Sequence, residues 1–349
     1  MPTDADRPSG RTALVTGASG FVGVNLVPEL VRRGWRVRTL DLVPFHAPGV
    51  RDVDHRTGDV RDPVAVDRAL DGVDVVFHLA ARITLRSRDD DALDVNVRGP
   101  ATVARRALAA GVDRLVHTSS VHAFDLARAR PRLHEGSPRA GSDRPVYDRS
   151  KAAGEAEVRA VVADGLDAVV VNPTGIIGPI DLGPSRANGV LLAAARGHLP
   201  IAVAGGFDWV DVRDVVAGLV AAAARGRCGE GYLLGGHQAT SVEIGRLAAG
   251  LNARLGPVVG LPPGLARGLA PVGERIGLIW GSDDLTPASI GTLLDDPIVD
   301  HGKAAAELGH RPRPLEDTVG DLVRWFRGEG HLTRRHGRWR SPGWARTGS

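Results

Sequence analysis

From residue 12 onward, apolar positions fall into short β-branched runs that alternate with longer stretches in which apolar residues recur at helical spacing. Residues 12–16 read as a strand, 21–33 as a helix and 35–41 as a second strand. Further strands are expected at 74–79, 114–118 and 168–172, with helices at 92–110 and 149–163. This alternation predicts an α/β fold, a doubly wound parallel sheet of the Rossmann type covered by helices on both faces.

Beyond Pro173 the rhythm breaks into shorter pieces punctuated by Gly175, Gly178, Pro179, Gly183, Pro184, Gly205 and Gly206. The expected organisation is a main domain at 11–175 and a smaller C-terminal region at 176–330 that shapes a pocket. A helix at 212–224 and a strand at 231–234 would return about 207–236 to the main sheet, making the smaller region discontinuous. The end, 331–349, carries Arg334, Arg335, Arg338, Arg340 and Arg346 without an acid, and reads as a basic, disordered tail.

Composition narrows the function classes. With 349 residues and 43% hydrophobic content the chain can bury a large core, as a globular enzyme does. Lys plus Arg number 44 against 41 Asp plus Glu, a formal charge of +3, so no nucleic-acid partner is implied. Cys228 is the single cysteine, which excludes an intrachain disulfide and suits a reducing cytosol. The first ten residues lack an apolar signal core, and no apolar run reaches membrane-spanning length. A cytoplasmic protein with neither export nor a membrane span is expected.

The first chemical signal follows the first strand: Thr16-Gly17-Ala18-Ser19-Gly20-Phe21-Val22-Gly23, opening a helix. Gly17 permits a tight turn, Gly20 lets backbone approach a pyrophosphate, and Gly23 lets the helix pack close to the strand. The free N–H groups of the helix terminus would hold phosphate charge. Asp41 lies eighteen residues past Gly23 at the end of the second strand, where a carboxylate can accept both ribose hydroxyls of an adenosine. The same charge repels a 2′-phosphate and favours NAD over NADP, although Arg36 and Arg38 stand nearby.

The second signal is Tyr147-Asp148-Arg149-Ser150-Lys151, which puts a phenol and an ammonium on one helical face. The chain holds only two tyrosines, Tyr147 and Tyr232, and two lysines, Lys151 and Lys303. A phenol of reference pKa about 10 must be made more acidic to exchange protons near neutrality. One positive charge at about 4 Å, in an effective dielectric of about 20, supplies roughly 4 kcal/mol toward the phenolate.

Together with Asp59 in Gly58-Asp59-Val60, the run His78-Leu79-Ala80-Ala81 and Thr118-Ser119-Ser120, these motifs resemble the extended short-chain dehydrogenase/reductases, the NAD-dependent epimerase/dehydratase family. The resemblance spans residues 11–330. It implies that Tyr147 gives or takes the proton, that Lys151 is its partner and a nicotinamide-ribose ligand, and that Ser120 rather than Ser119 hydrogen-bonds the reacting oxygen. It implies cofactor contacts from Gly17, Ser19, Gly20, Phe21, Val22, Gly23 and Asp41. It also implies adenine contacts from Asp59 and Val60, a pyrophosphate and ribose path along Leu79, Ala80 and Ala81, and a supporting role for Asn96. Asn172-Pro173-Thr174 is similar to the family's turn beside the nicotinamide.

Nucleotide-sugar enzymes of this family carry an arginine for the substrate diphosphate, in a stretch resembling Arg-Asp-Tyr-Ile-His-Val-x-Asp. Phe207 occupies that position here, in Phe207-Asp208-Trp209-Val210-Asp211-Val212-Arg213-Asp214, and an apolar ring cannot bind a diphosphate. That run, residues 172–178 and residues 308–315 resemble the dihydroflavonol reductase and 3β-hydroxysteroid dehydrogenase branch. The implied activity is a ketoreductase-type oxidoreduction, interconverting a secondary alcohol and a ketone on a small non-nucleotide substrate. The alternative is a nucleotide-sugar epimerase or dehydratase with retained NAD. Phe207, Trp209, Ile176, Ile177, Leu191 and Leu192 would either line an apolar pocket or belong to the core. His78 reads as a core residue, and His117 and His122 lack metal-ligand spacing, so no metal is expected. A homodimer is what the resemblance suggests.

Overall fold

Main-chain pairing starts from the runs that the apolar pattern marks. In chain order the elements are β1 (Thr12–Thr16), α1 (Phe21–Arg32), β2 (Arg36–Asp41), β3 (Asp54–Thr57), α2 (Pro63–Leu70), β4 (Val75–His78), α3 (Asp90–Ala109) and β5 (Arg114–Thr118). There follow β6 (Arg132–Leu133), α4 (Val146–Ala163), β7 (Ala168–Pro173), β8 (Gly175–Ile177), α5 (Arg186–Ala195), β9 (Ile201–Val203), β10 (Gly206–Asp211) and α6 (Val212–Arg225). The last are β11 (Gly231–Leu234), β12 (His237–Thr240), α7 (Ser241–Leu251), β13 (Val259–Leu261), β14 (Ile298–Val299), α8 (Gly302–Leu308) and α9 (Leu315–Gly328). This computed structural model describes residues 10–332 except 52, 85, 87, 200, 254–258, 263, 267, 269–290, 292 and 296. The basic tail read at 331–349 lies outside the described residues from 333 onward. His331 and Leu332 pack on α9, with the His331 carbonyl accepting from Arg196 at 2.9 Å.

The main sheet has seven parallel strands in the order β11-β7-β5-β4-β1-β2-β3. The chain winds outward from β1 to β3 and then returns to β4 on the other side of β1. That reversal opens a crevice at the carboxyl ends of β1 and β4, where Rossmann-type sheets bind ligands. One face is covered by α1, α6 and α8 through residues such as Leu26, Leu30, Val215, Leu219 and Leu308. The opposite face is covered by α2, α3 and α4 through Val66, Leu70, Val103, Val158 and Val161. Each large aliphatic side chain buried in these layers contributes roughly 1.5–3 kcal/mol. A third cluster joins α5, α7 and α9 with Ile177, and a small sheet, β12-β10-β8, connects it to the main body.

Between β1 and β5, two elements escape the apolar pattern. The polar strand β3 lies at the sheet edge, mostly exposed, so it carries no alternation to read. Helix α2 is set by its start: Asp62 caps the amide of Val64 at 2.9 Å, and Pro63 supplies a helical φ at the first position. The helix expected from residue 149 begins at Val146, after Pro145, and this puts Tyr147 in its first turn. Gly154 lets α4 lie directly against α3, since a Cβ there would fall 2.1 Å from the carbonyl oxygen of Asn96.

Candidate active site

The crevice is built first from glycines. Gly17 has φ 68°, donates to the carbonyl of Leu40 at 3.0 Å, and would place a Cβ 2.6 Å from the backbone of Ala80. A Cβ on Gly23 would lie 2.2 Å from the carbonyl oxygen of Ala18, so α1 can seat against the loop only as it is. Gly20 precedes α1, and no side chain caps the first turn that holds Phe21, Val22 and Gly23. A bare helix terminus beside a glycine turn fits a pyrophosphate. Leu79 and Ala80 donate from the end of β4 to the carbonyl and hydroxyl of Thr16, at 3.1 and 3.4 Å, and Ala81 follows them, exposed.

Asp41 ends β2 with its carboxylate turned to the loop, where Oδ2 accepts from the Ser19 amide at 2.9 Å and Oδ1 from Leu42 at 2.7 Å. A carboxylate has about four acceptor positions, so capacity for ribose hydroxyls is left over. Asp59 is held differently. The Arg61 guanidinium binds it at 2.6 Å, keeps its carboxyl below the usual range, and also reaches Asp91 and Asp94. Val60 is a core residue packed under Gly99. Asn96 is buried and clamps the loop after β4, accepting from the Arg82 amide at 2.8 Å and donating to its carbonyl at 2.9 Å and to Ser150 Oγ at 3.0 Å.

The phenol and the ammonium project from the buried face of α4, Tyr147 from its first turn and Lys151 one turn later. Ser120, two residues past β5, is close enough to the Tyr147 phenol to lower it, whereas Ser119 Oγ is buried without a partner among the described residues. Lys151 Nζ donates to the carbonyl of Thr118 at 3.0 Å. Burial pushes the Tyr147 phenol up to about 12; the Ser120 hydrogen bond opposes this and the Asp148 carboxylate adds to it. Burial also pulls Lys151 down to about 8, with the Glu155 carboxylate pulling the other way.

Beneath this pair lies a polar layer that motif reading does not reveal. Glu155 is buried and receives Arg139 at 2.7 Å, Arg159 at 3.0 Å and Asn172 Nδ2 at 3.1 Å. Although burial acts to raise it, these partners hold its carboxyl below the usual range. Asn172 also donates to the carbonyl of Ser120 at 3.0 Å, so the turn after β7 and the serine are tied to one buried anion. Pro173 and Thr174 are buried next to it, with Thr174 Oγ1 near the carbonyl of Leu234 at 3.5 Å. The rings of His78 and His117 stack with centroids 5.4 Å apart. Burial, and then the Lys151 charge, push His78 down to about 3 and His117 well below its ordinary value, so both are neutral. His78 Nδ1 pairs with Thr16 Oγ1 at 2.6 Å. The signal for Glu155 was its spacing four residues after Lys151 on a helix.

On the other side the site is apolar. Phe207 lies with Val121, Leu126, Leu133 and Val299 around a small apolar void of about 10 Å³, which the buried Thr174 and Asp208 also line. Ile177, Leu191 and Leu192 belong to the core with Trp209, and Ile176 packs on the main core, so of the six residues considered for a pocket only Phe207 lines this void. His122 stacks over Phe207, with centroids 5.9 Å apart. No group of three or more metal-ligating side chains occurs among the described residues. None of their helices is long and apolar enough to cross a membrane.

Comparison with known proteins adds the following. Residues 13–235 match the NAD dependent epimerase/dehydratase family. The chain is 35% identical to "Sterol demethylase protein B" of Methylococcus capsulatus over 334 residues, 92% of this chain and 100% of that protein. It is 30% identical to a 4-hydroxy-2-methyl-3-oxo-4-farnesyl-3,4-dihydroquinoline-1-oxide ketoreductase of Stigmatella aurantiaca, across 89% of this chain and 95% of that protein. The crystal structure of gox2253 superposes with a TM-score of 0.80 at 32% identity, covering 93% of this chain and 100% of that one.

Proposed function

Because the chain belongs to the NAD dependent epimerase/dehydratase family, the extended short-chain dehydrogenase/reductases, we propose that it interconverts a secondary alcohol and a ketone on a small, apolar, non-nucleotide substrate. One arrangement carries the reading: Tyr147 and Lys151 stand one turn apart on the buried face of α4, Ser120 acts on the phenol, and the Lys151 ammonium is held to the Thr118 carbonyl at the end of β5. Ser120 and Tyr147 hold the reacting oxygen, and Tyr147 gives or takes its proton. Lys151 adds positive charge beside that proton and a donor for a ribose hydroxyl. Asn172, held by Glu155, ties down Ser120, and the Thr118 carbonyl holds Lys151. The bound nicotinamide cofactor supplies the hydride chemistry. NAD is the cofactor we propose over NADP, because Asp41 at the tip of β2 accepts ribose hydroxyls and repels a 2′-phosphate. Residues 11–175 form its binding domain in this reading, and 176–330 the substrate region.

The apolar substrate class rests on Phe207, an aromatic ring at the position where a diphosphate would require a cation. The ketoreductase name of one relative is in keeping with it. The test is a panel of ketones, sterols, flavonoids and nucleotide sugars, read by absorbance of reduced nicotinamide with NADH and with NADPH. Turnover of a ketone dependent on added NADH is expected. Tightly retained cofactor, with turnover of a nucleotide sugar and no net NADH formed, would replace this reading with an epimerase or dehydratase.

A further inference from the structure

The residue after Tyr147 and the second residue after Ser120 meet on the substrate side of the site. Asp148, 4% exposed, takes His122 Nδ1 at 2.9 Å, so the imidazole is oriented by a buried carboxylate. A carboxylate on Nδ1 fixes the proton there in the neutral ring and directs Nε2 elsewhere. The ring lies between Tyr147 and Phe207. Its centroid is 5.3 Å from that of Tyr147, edge to face, and 5.9 Å from that of Phe207. The backbone amide of His122 also donates to Ser120 Oγ at 3.2 Å.

From this arrangement we propose that His122 and Asp148 form a proton-binding dyad that positions the Tyr147 ring and sets the charge it experiences during the reaction. The proposal rests on the oxidoreductase reading and adds two positioning residues to it. With His122 neutral, Asp148 presents a net negative charge next to the phenol and opposes phenolate formation. With His122 protonated, the ion pair is neutral overall and the opposition falls away. The two protons are therefore coupled, and phenolate formation in turn favours the imidazolium. The other charges in play are Lys151 on the same helix, held to Thr118, and Arg144, which faces Asp148 and also Asp125 and Asp295. The neutral His78 and His117 lie beneath Lys151.

The chain's two tyrosines permit a test that needs no substrate. Labelling tyrosine Cζ with carbon-13 gives one resonance for Tyr147 and one for Tyr232, whose hydroxyl donates to Glu307 at 2.6 Å in another part of the fold. In the unaltered protein the Tyr147 resonance is expected to show an inflection with pH that disappears in His122→Phe and is lost or displaced in Asp148→Asn. The Tyr232 resonance should keep its position, reporting an intact fold. If it moves in His122→Phe, His122→Gln, which retains a polar side chain of similar length, is read the same way. An inflection from Lys151 survives these changes. If every inflection of the unaltered protein survives the removal of His122, or if none exists, the dyad is overturned. A Tyr147→Phe variant that stays fully active would instead sink the oxidoreductase reading, so the two failures are distinct.

Discussion

Lys151 Nζ lies 3.0 Å from the carbonyl oxygen of Thr118, and that bond fastens α4 to the end of β5 at the level of Ser120. Burial disfavours the charged form of this ammonium, and the Glu155 carboxylate one turn further along α4 favours it. Burial wins in part, and Lys151 sits at about 8. The charge that assists Tyr147 is thus itself within reach of ordinary buffers.

The pH dependence of the two directions follows. Oxidation of an alcohol needs the phenolate, and a phenol at about 12 makes kcat/KM for oxidation climb about tenfold per pH unit through the neutral range. Reduction needs the neutral phenol and the lysine charge, so it should be flat below pH 8 and fall above it. Initial rates in both directions across pH check this. A reduction rate indifferent to pH from 7 to 10 would contradict it.

Folding should be acid-sensitive through the stacked histidines. His78 and His117 titrate lower in the folded protein than their ordinary value of 6.5, so below that pH the unfolded chain binds more protons than the native one. Their contribution is intact above 6.5 and is lost as pH falls below it, for His78 down to about 3, at about 1.4 kcal/mol per pH unit for each ring while it stays neutral in the fold. Urea unfolding between pH 6.5 and 4 measures the slope. His117→Leu should reduce it by about 1.4 kcal/mol per pH unit relative to the unaltered protein.

How far the sequence revealed this molecule depends on what kind of constraint each residue serves. The buried strands and the helices that cover them were legible because burial imposes periodicity, and Gly17 and Gly23 because no other residue fits where they sit. Tyr147 and Lys151 were legible because an i,i+4 pair faces one way. By contrast β3 is polar at an exposed edge, and α2 rests on Asp62 and Pro63 more than on its apolar face. Glu155 looks like one more charge on a helix until Arg139, brought by a distant loop, is seen against it. The contact of His122 with Asp148 joins two elements 26 residues apart, and no local pattern records it.

Asp41 should govern cofactor affinity and choice. In Asp41→Asn the charge is lost, and charge-assisted hydrogen bonds are each worth about 1.5–3 kcal/mol, so NADH is expected to bind roughly ten- to a hundredfold more weakly. NADPH should lose much less, because repulsion of its 2′-phosphate is relieved at the same time. Fluorescence titration with both dinucleotides decides the matter, with thermal melting as a check on the loop that Asp41 holds through Ser19 and Leu42. Equal weakening of the two would remove Asp41 from the basis of selectivity.

Gly154 sits on α4 one turn beyond Ser150, facing α3, and its missing Cβ leaves room for the Asn96 carbonyl. In Gly154→Ala the new carbon, 2.1 Å from that oxygen, must push the helices apart, since backbone on both sides cannot yield as a side chain would. Overpacking of this kind costs about 1–3 kcal/mol, partly offset by alanine's better helix propensity. The movement would reach catalysis because Asn96 holds Ser150, and Tyr147 and Lys151 ride on the displaced helix. The expected outcome is a lower unfolding midpoint in urea together with a fall in kcat larger than the change in NADH affinity. The same substitution at Gly250 in α7, where a Cβ meets nothing within 4 Å, should leave turnover unchanged and raise the midpoint slightly, since alanine favours a helix by about 0.5–1 kcal/mol. Should Gly154→Ala melt and turn over like its parent, the close approach of α3 and α4 is not what holds Tyr147 in place.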